Sequence, residues 1–217
     1  MKLLAWTVGS YAAVNVPFAI AAPGPWSTFF RFNATRGVDW DSLWFVACSR
    51  LHHGAASCGW STALINRLSL ALFVGSAIAV WLLRRRLRPD FSRWTLAFPI
   101  LVLFLLTNKV YSPQYGLWLL PWFALALPNQ WLFVAFEVSD VAVFVTRFTW
   151  FGRMAGDSGS PEFAGFHGAT LGAFQIALVV RAAILVACLV AWILRREPVP
   201  ERARAEVPRE LGDVQAA

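Results

Sequence analysis

The feature that most constrains this chain is a series of long apolar runs separated by clusters of arginine. A helix needs about 20 predominantly apolar residues to cross the hydrocarbon core of a bilayer, and residues 3–22, 63–83, 131–151 and 170–194 reach that length. Two shorter runs, 94–106 and 115–127, each hold a proline (Pro99 and Pro121) and bracket a polar stretch at 107–114. They read as two spans joined by a tight turn. Only 14% of the 217 residues are charged, against roughly 25% in a soluble domain, so lipid is the expected solvent. The sequence therefore predicts an all-α fold, a polytopic membrane helix bundle with about six transmembrane helices.

Orientation follows from charge. Arg84, Arg85, Arg86, Arg88 and Arg93 crowd one loop against a lone Asp90, which makes that loop cytoplasmic. Alternation then places 23–62, 107–114 and 152–169 outside and both termini in the cytoplasm of a multi-pass plasma-membrane protein. Arg195, Arg196, Arg202, Arg204 and Arg209 agree with that parity. Residues 195–217, mostly small or charged with three prolines, predict a disordered tail behind a membrane domain at 1–194. The first run also fits a signal peptide ending in Ala19-Ile20-Ala21, although Asn15 and Pro17 interrupt it. The net charge of +7 does not imply nucleic-acid binding, because the basic residues lie between apolar runs. Dinucleotide, Walker-type and zinc-protease motifs are absent, and no cofactor or metal is expected.

Polar groups concentrate on the predicted exterior side. The 23–62 loop is about forty residues long, well beyond a minimal connection. Ser27 is a candidate cap for a short interfacial helix bearing Trp26, Phe29, Phe30 and Asn33, with Arg31 and Arg36 at headgroup depth. Gly37 would stop it, and Asp39-Trp40-Asp41 would begin a second element. This region is either an anchor that seals the bundle or a platform gripping a phosphate-bearing lipid. At 108–115, Ser112 as N-cap and Pro113 at the first position would open a helix whose free N–H groups favour an anion. Lys109, one of only two lysines, sits beside it as a phosphate ligand or as a snorkelling side chain. Glu137, Asp140 and Arg147 share one apolar run and Arg181 lies in the last. Asp140 and Arg181 are expected to form a structural ion pair, the alternative being a proton or substrate path. Cys48 and Cys58 either form a disulfide or stay as thiols. With His52 and His53 they match no zinc spacing, and Cys188 reads as a small apolar residue.

Two stretches resemble a known family. Val14-Asn15-Val16-Pro17, Arg31-Phe32-Asn33, Arg36-Gly37 and Asp39-Trp40-Asp41-Ser42-Leu43-Trp44 form the first; Lys109-Val110-Tyr111-Ser112-Pro113-Gln114-Tyr115-Gly116-Leu117-Trp118 forms the second. They resemble the actinobacterial polyprenyl-phosphate-mannose-dependent mannosyltransferases of the glycosyltransferase-C superfamily. The resemblance implies a membrane enzyme that passes a hexose, mannose by family, from a polyprenyl-phosphate sugar to a glycolipid or polysaccharide acceptor at the exterior leaflet. It assigns Arg36, Lys109, Gln114 and Tyr115 to the donor phosphate and sugar, with Arg31, Asp39, Asp41 and Ser112 in support. Family members are about twice this length and carry their catalytic acid in the first exterior loop. The chain thus resembles a C-terminal half, and no catalytic residue can be assigned among Asp39, Asp41, Asp157 and Glu162, its exterior acids. Alone it is expected to be inactive; the start is misassigned, the gene is a remnant, or a second chain supplies the N-terminal half. A non-catalytic subunit that binds lipid-linked sugar and a small transporter are the competing functions.

Overall fold

A computed structural model describes residues 2–51 and 58–196, apart from the side chains of residues 2–4. The tail from Glu197 onward, with its expected disorder, and the His52–His53 pair lie outside the described residues. The described residues form eight α-helices: α1 (Lys2–Ala21), α2 (Pro23–Thr35), α3 (Leu43–Leu51), α4 (Thr62–Leu87), α5 (Ala97–Thr107), α6 (Leu120–Leu125), α7 (Gln130–Asp157) and α8 (Leu171–Leu194). Short 3-10 helices cover Arg93–Leu96, Pro113–Leu119 and Pro161–Phe163, and no strand occurs among the described residues.

Two of these helices, α4 and α8, are long and apolar enough to cross a membrane. The 28 residues of α7 are longer still but carry Glu137, Asp140 and Arg147. The two proline-bearing runs form short helices. With 11 residues, α5 rises only about 16 Å at 1.5 Å per residue. The stretch from Pro113 is a seven-residue 3-10 helix that passes into the six residues of α6.

Side-chain caps set three of the helix starts. Ser61 Oγ accepts from Leu64 N, Thr170 Oγ1 from Ala173 N, and Asn129 Oδ1 from Trp131 N and Leu132 N. Ser27 does not cap α2. That helix begins at Pro23, whose fixed φ and missing N–H suit a first turn, so Ser27 lies inside and donates back to the Gly24 carbonyl. Nor does Gly37 end it: the chain leaves the helix at Arg36, with ψ 133°.

The bundle is organised around an antiparallel α7–α8 pair. Trp150 stacks on Phe174 at 5.3 Å near one end of the pair, in a cluster that α3 completes with Phe45. Phe136, Leu185, Leu189 and Trp192 form the other end with Phe98 and Val102 of α5 and Phe123 of α6. The second end is tied by Arg84 at the close of α4, whose Nη1 donates to the carbonyls of Trp192, Ile193 and Arg195 at 2.8, 2.8 and 2.6 Å. The Trp192 and Ile193 carbonyls are ones that α8 would otherwise leave unpaired, and the guanidinium also lies 4.8 Å over the Trp192 ring. Arg195 Nη1 in turn donates to the Ala126 carbonyl.

The opposite end gathers α2, α3 and the starts of α4 and α8. Asn66 Nδ2 donates to the Ala34 carbonyl, Trp44 Nε1 to the Thr107 carbonyl, and Gln175 Nε2 to Ser49 Oγ. The starts of α4 and α8 thus share this end and their C-termini share the other, so the two helices run parallel.

Polarity across the bundle is inverted relative to a water-soluble fold. Val138, Val141, Phe144 and Val145 of α7 and Ile176, Val179, Val180 and Val186 of α8 are exposed, while Asp41, Arg84, Arg181, Ser139 and Gln175 are buried.

Candidate functional site

At the end that holds α3, the chain leaves α5 through an extended Asn108, and two backbone segments meet. Asp39 N donates to the Lys109 carbonyl at 2.8 Å, and Lys109 Nζ donates back to the Arg36 carbonyl at 2.5 Å. The lysine is only 6% exposed. Among the described residues no carboxylate lies within ion-pair reach of it. Burial pushes its pKa down, and the neighbouring Arg36 charge adds to the effect. An ammonium with one neutral acceptor and no counter-ion is costly to bury, and an incoming anion would offset that cost.

The surrounding shape suits an amphipathic anion. Lys109 heads a groove of about 210 Å³ between α4 and α5, with Asn66, Ser69 and Asn108 among its polar walls and Leu70, Phe73 and Phe104 among its apolar ones. Ser69 Oγ is buried with no hydrogen-bond partner.

The other residues assigned through the family resemblance fall around this point to different degrees. Arg36 Nη2 pairs with Asp39 Oδ2 at 3.2 Å, and Asp39 Oδ1 accepts from Trp40 N. Ser42 Oγ donates to the Asp39 carbonyl and accepts from Phe45 N in the first turn of α3. Tyr115 stacks on Trp118 at 4.3 Å and lies 6.4 Å from Phe104 of the groove. Gln114 is exposed, and its Oε1 accepts from Ser112 Oγ. Ser112 occupies the N-cap position but caps no N–H, and the element behind it is a 3-10 helix, not an α-helix. Arg31 stands on exposed α2, where its side chain makes no polar contact among the described residues.

Deeper in the bundle lies a network of four charges. Arg181 Nη1 pairs with Asp140 Oδ1 at 2.8 Å, and Arg147 Nη1 with Asp41 Oδ2 at 2.7 Å. Arg181 Nη2 also donates to the Asp41 carbonyl at 2.9 Å, and its guanidinium lies 3.8 Å over the Tyr111 ring. Gly116 packs against Asp140; an added Cβ would sit 2.9 Å from Oδ2. Glu137, one turn before Asp140, belongs to no ion pair among the described residues.

Burial raises the Asp41 pKa from 3.8 to about 6, outweighing the nearby positive charges of Arg147 and Arg181. Asp41 Oδ1, Tyr111 Oη and Arg147 Nε are buried without partners. A void of about 10 Å³ adjoins Asp41, Tyr111 and Arg181, at the lower limit for one water molecule. This network has no room for a larger ligand. Its pairing of Arg147 with Asp41, 106 positions apart, had no signal in the sequence, where Arg147 stood only as one ionisable residue within an apolar run.

Cys48 and Cys58 are joined as a disulfide, which resolves the two alternatives left open by spacing. The bond ties the end of α3 to the approach to α4. Comparison with protein-family models, with curated proteins and with solved structures gives no match to this chain.

Proposed function

We propose that this chain is a multi-pass plasma-membrane protein that holds a polyprenyl-phosphate hexose at the exterior leaflet, as the donor-binding part of a hexosyltransferase acting on a glycolipid or polysaccharide. The observation that carries this reading is Lys109: a buried ammonium without a carboxylate, at the head of a groove whose further walls are apolar. A lipid phosphate matches both halves. The phosphate supplies the missing counter-charge, and the isoprenoid follows Leu70, Phe73 and Phe104. Membrane residence accounts for the inverted polarity, since apolar faces on α7 and α8 of that extent would be unstable in water. The arginine-rich end of α4 then faces the cytoplasm, and the Lys109 end faces out.

In this arrangement α1, α4, α7 and α8 span the bilayer. The prolines and 3-10 geometry of the two short segments are tolerated because neighbouring helices cover them. Glycosyl transfer also needs a base near the acceptor hydroxyl. Asp39 and Asp41 are already held by Arg36 and Arg147, so the contribution of these residues is to shape the donor site.

The test is binding of a polyprenyl phosphate to the detergent-purified chain and to single variants. A charge-assisted contact is worth about 1.5–3 kcal/mol net, so Lys109→Ala is expected to weaken binding by about ten- to a hundredfold. Arg31→Ala is expected to have little effect. Equal affinity in the wild type and Lys109→Ala would leave the lysine a structural tether to the Arg36 carbonyl.

A further inference from the structure

Gly37 and Val38, next to the Arg36 carbonyl that Lys109 holds, line a second cavity, of about 320 Å³. That size is within the range of small-molecule sites. Its wall combines Trp40, Phe45 and Trp60 with Gly37, Val38 and Thr62, and the Cys48–Cys58 disulfide closes one side. Trp60 is held by an edge contact to Trp44 at 6.1 Å, and Trp40 by edge contacts to Phe45 at 5.0 Å and Trp150 at 5.3 Å. Trp40 is thus held by several rings, and Trp60, which is 36% exposed, by one.

Polar capacity is unspent around them. Among the described residues, the Gly37 and Val38 N–H groups, the Thr62 hydroxyl and the indole N–H groups of Trp40 and Trp60 make no hydrogen bond. Among the described residues no acid, lysine or arginine lines this cavity, so a neutral occupant fits that lining better than a cation or a phosphate. Aromatic faces with several neutral donors suit a ring that has apolar C–H faces and a rim of hydroxyls.

We infer that this cavity is a saccharide subsite that takes one neutral hexopyranose ring. Ile65 lines it while the next residue, Asn66, lines the Lys109 groove, so the two sites flank the same turn of α4. Under the donor-binding reading above, the ring would be the sugar linked to the phosphate held at Lys109. The ring could equally belong to the acceptor, and recognition of the ring itself does not depend on the phosphate.

Gly37 allows a clean test. A Cβ there would meet nothing within 4 Å, and the residue has no positive φ, so Gly37→Leu adds bulk at the cavity wall without straining the backbone. The protein is purified in a detergent with no sugar headgroup, and saturation-transfer NMR is recorded with methyl α-mannopyranoside, methyl α-glucopyranoside and methyl α-galactopyranoside. At least one is expected to give a signal in the wild type that falls at least fivefold in Gly37→Leu and in Trp60→Ala. Lys109→Ala is expected to keep that signal while losing affinity for undecaprenyl phosphate, so the two readings fail separately. Competition by undecaprenyl-phosphate hexose but not by undecaprenyl phosphate would assign the ring to the donor, and no competition by either would assign it to the acceptor. No signal from any hexoside in the wild type, or an undiminished signal in Gly37→Leu, overturns the inference.

Discussion

At the scale of single residues, Asp41 behaves unlike an ordinary loop carboxylate. Its carboxylate is paired with Arg147 and near Arg181, yet burial dominates and lifts the pKa from 3.8 to about 6. A carboxyl raised on folding favours the protonated folded state. Its contribution to stability is therefore full below about pH 3.8 and is lost as the pH rises through about 6. The difference corresponds to roughly 3 kcal/mol, at 1.36 kcal/mol per pKa unit. Thermal unfolding of the wild type and of Asp41→Asn across pH 3.5 to 7 should separate the two. The wild type should lose stability relative to the variant over the window from about pH 4 to about 6, and parallel curves would mean that Asp41 ionises in the fold without cost.

At the scale of elements, the connection between α7 and α8 and the tie between α4 and α8 decide the packing. An added Cβ at Gly168 would drive into the Thr149 carbonyl of α7. Backbone cannot yield as a flexible side chain can, so Gly168→Ala should cost on the order of 3 kcal/mol, seen as a lower unfolding midpoint in detergent. An unchanged midpoint would show that this connection is free to move. Arg84 is the comparable feature at the other end, since one guanidinium nitrogen serves three carbonyls of the α8 terminus. Arg84→Leu leaves those acceptors bare and should cost about 2–4 kcal/mol. Trypsin should then cut faster at Arg195 and Arg196. Arg84→Lys should recover only part of the loss, because a compact ammonium lacks the planar fork that also stacks on Trp192.

At the scale of the molecule, the arrangement of charge predicts sidedness. Arg84 and Arg195 meet at one end, and Lys109, Arg36 and the disulfide gather at the other. In intact cells a membrane-impermeant thiol reagent should label Glu162→Cys and leave Arg86→Cys untouched until the membrane is opened. The reverse pattern would invert the proposed topology and place the Lys109 groove in the cytoplasm. The native cysteines do not interfere, since Cys48 and Cys58 are bonded and Cys188 is buried.

Helical class, the positions of α4, α7 and α8, and the separation of a basic end from a polar end were legible in the sequence, because they follow from apolar run length and local charge. Three results depended on tertiary structure. Asp41 meets Arg147 from 106 positions away, Arg84 turns inward to serve α8, and Lys109 loses its solvent without gaining a carboxylate. A side chain's partner and its burial are set by which elements pack together, and periodicity carries no record of that. Helix α2 illustrates the boundary between the two: its existence could be read from aromatic spacing, but Pro23 and not Ser27 begins it. The aromatic cavity depends entirely on packing, because Gly37, Trp40, Trp60 and Ile65 become neighbours only when α3 is bonded back toward α4.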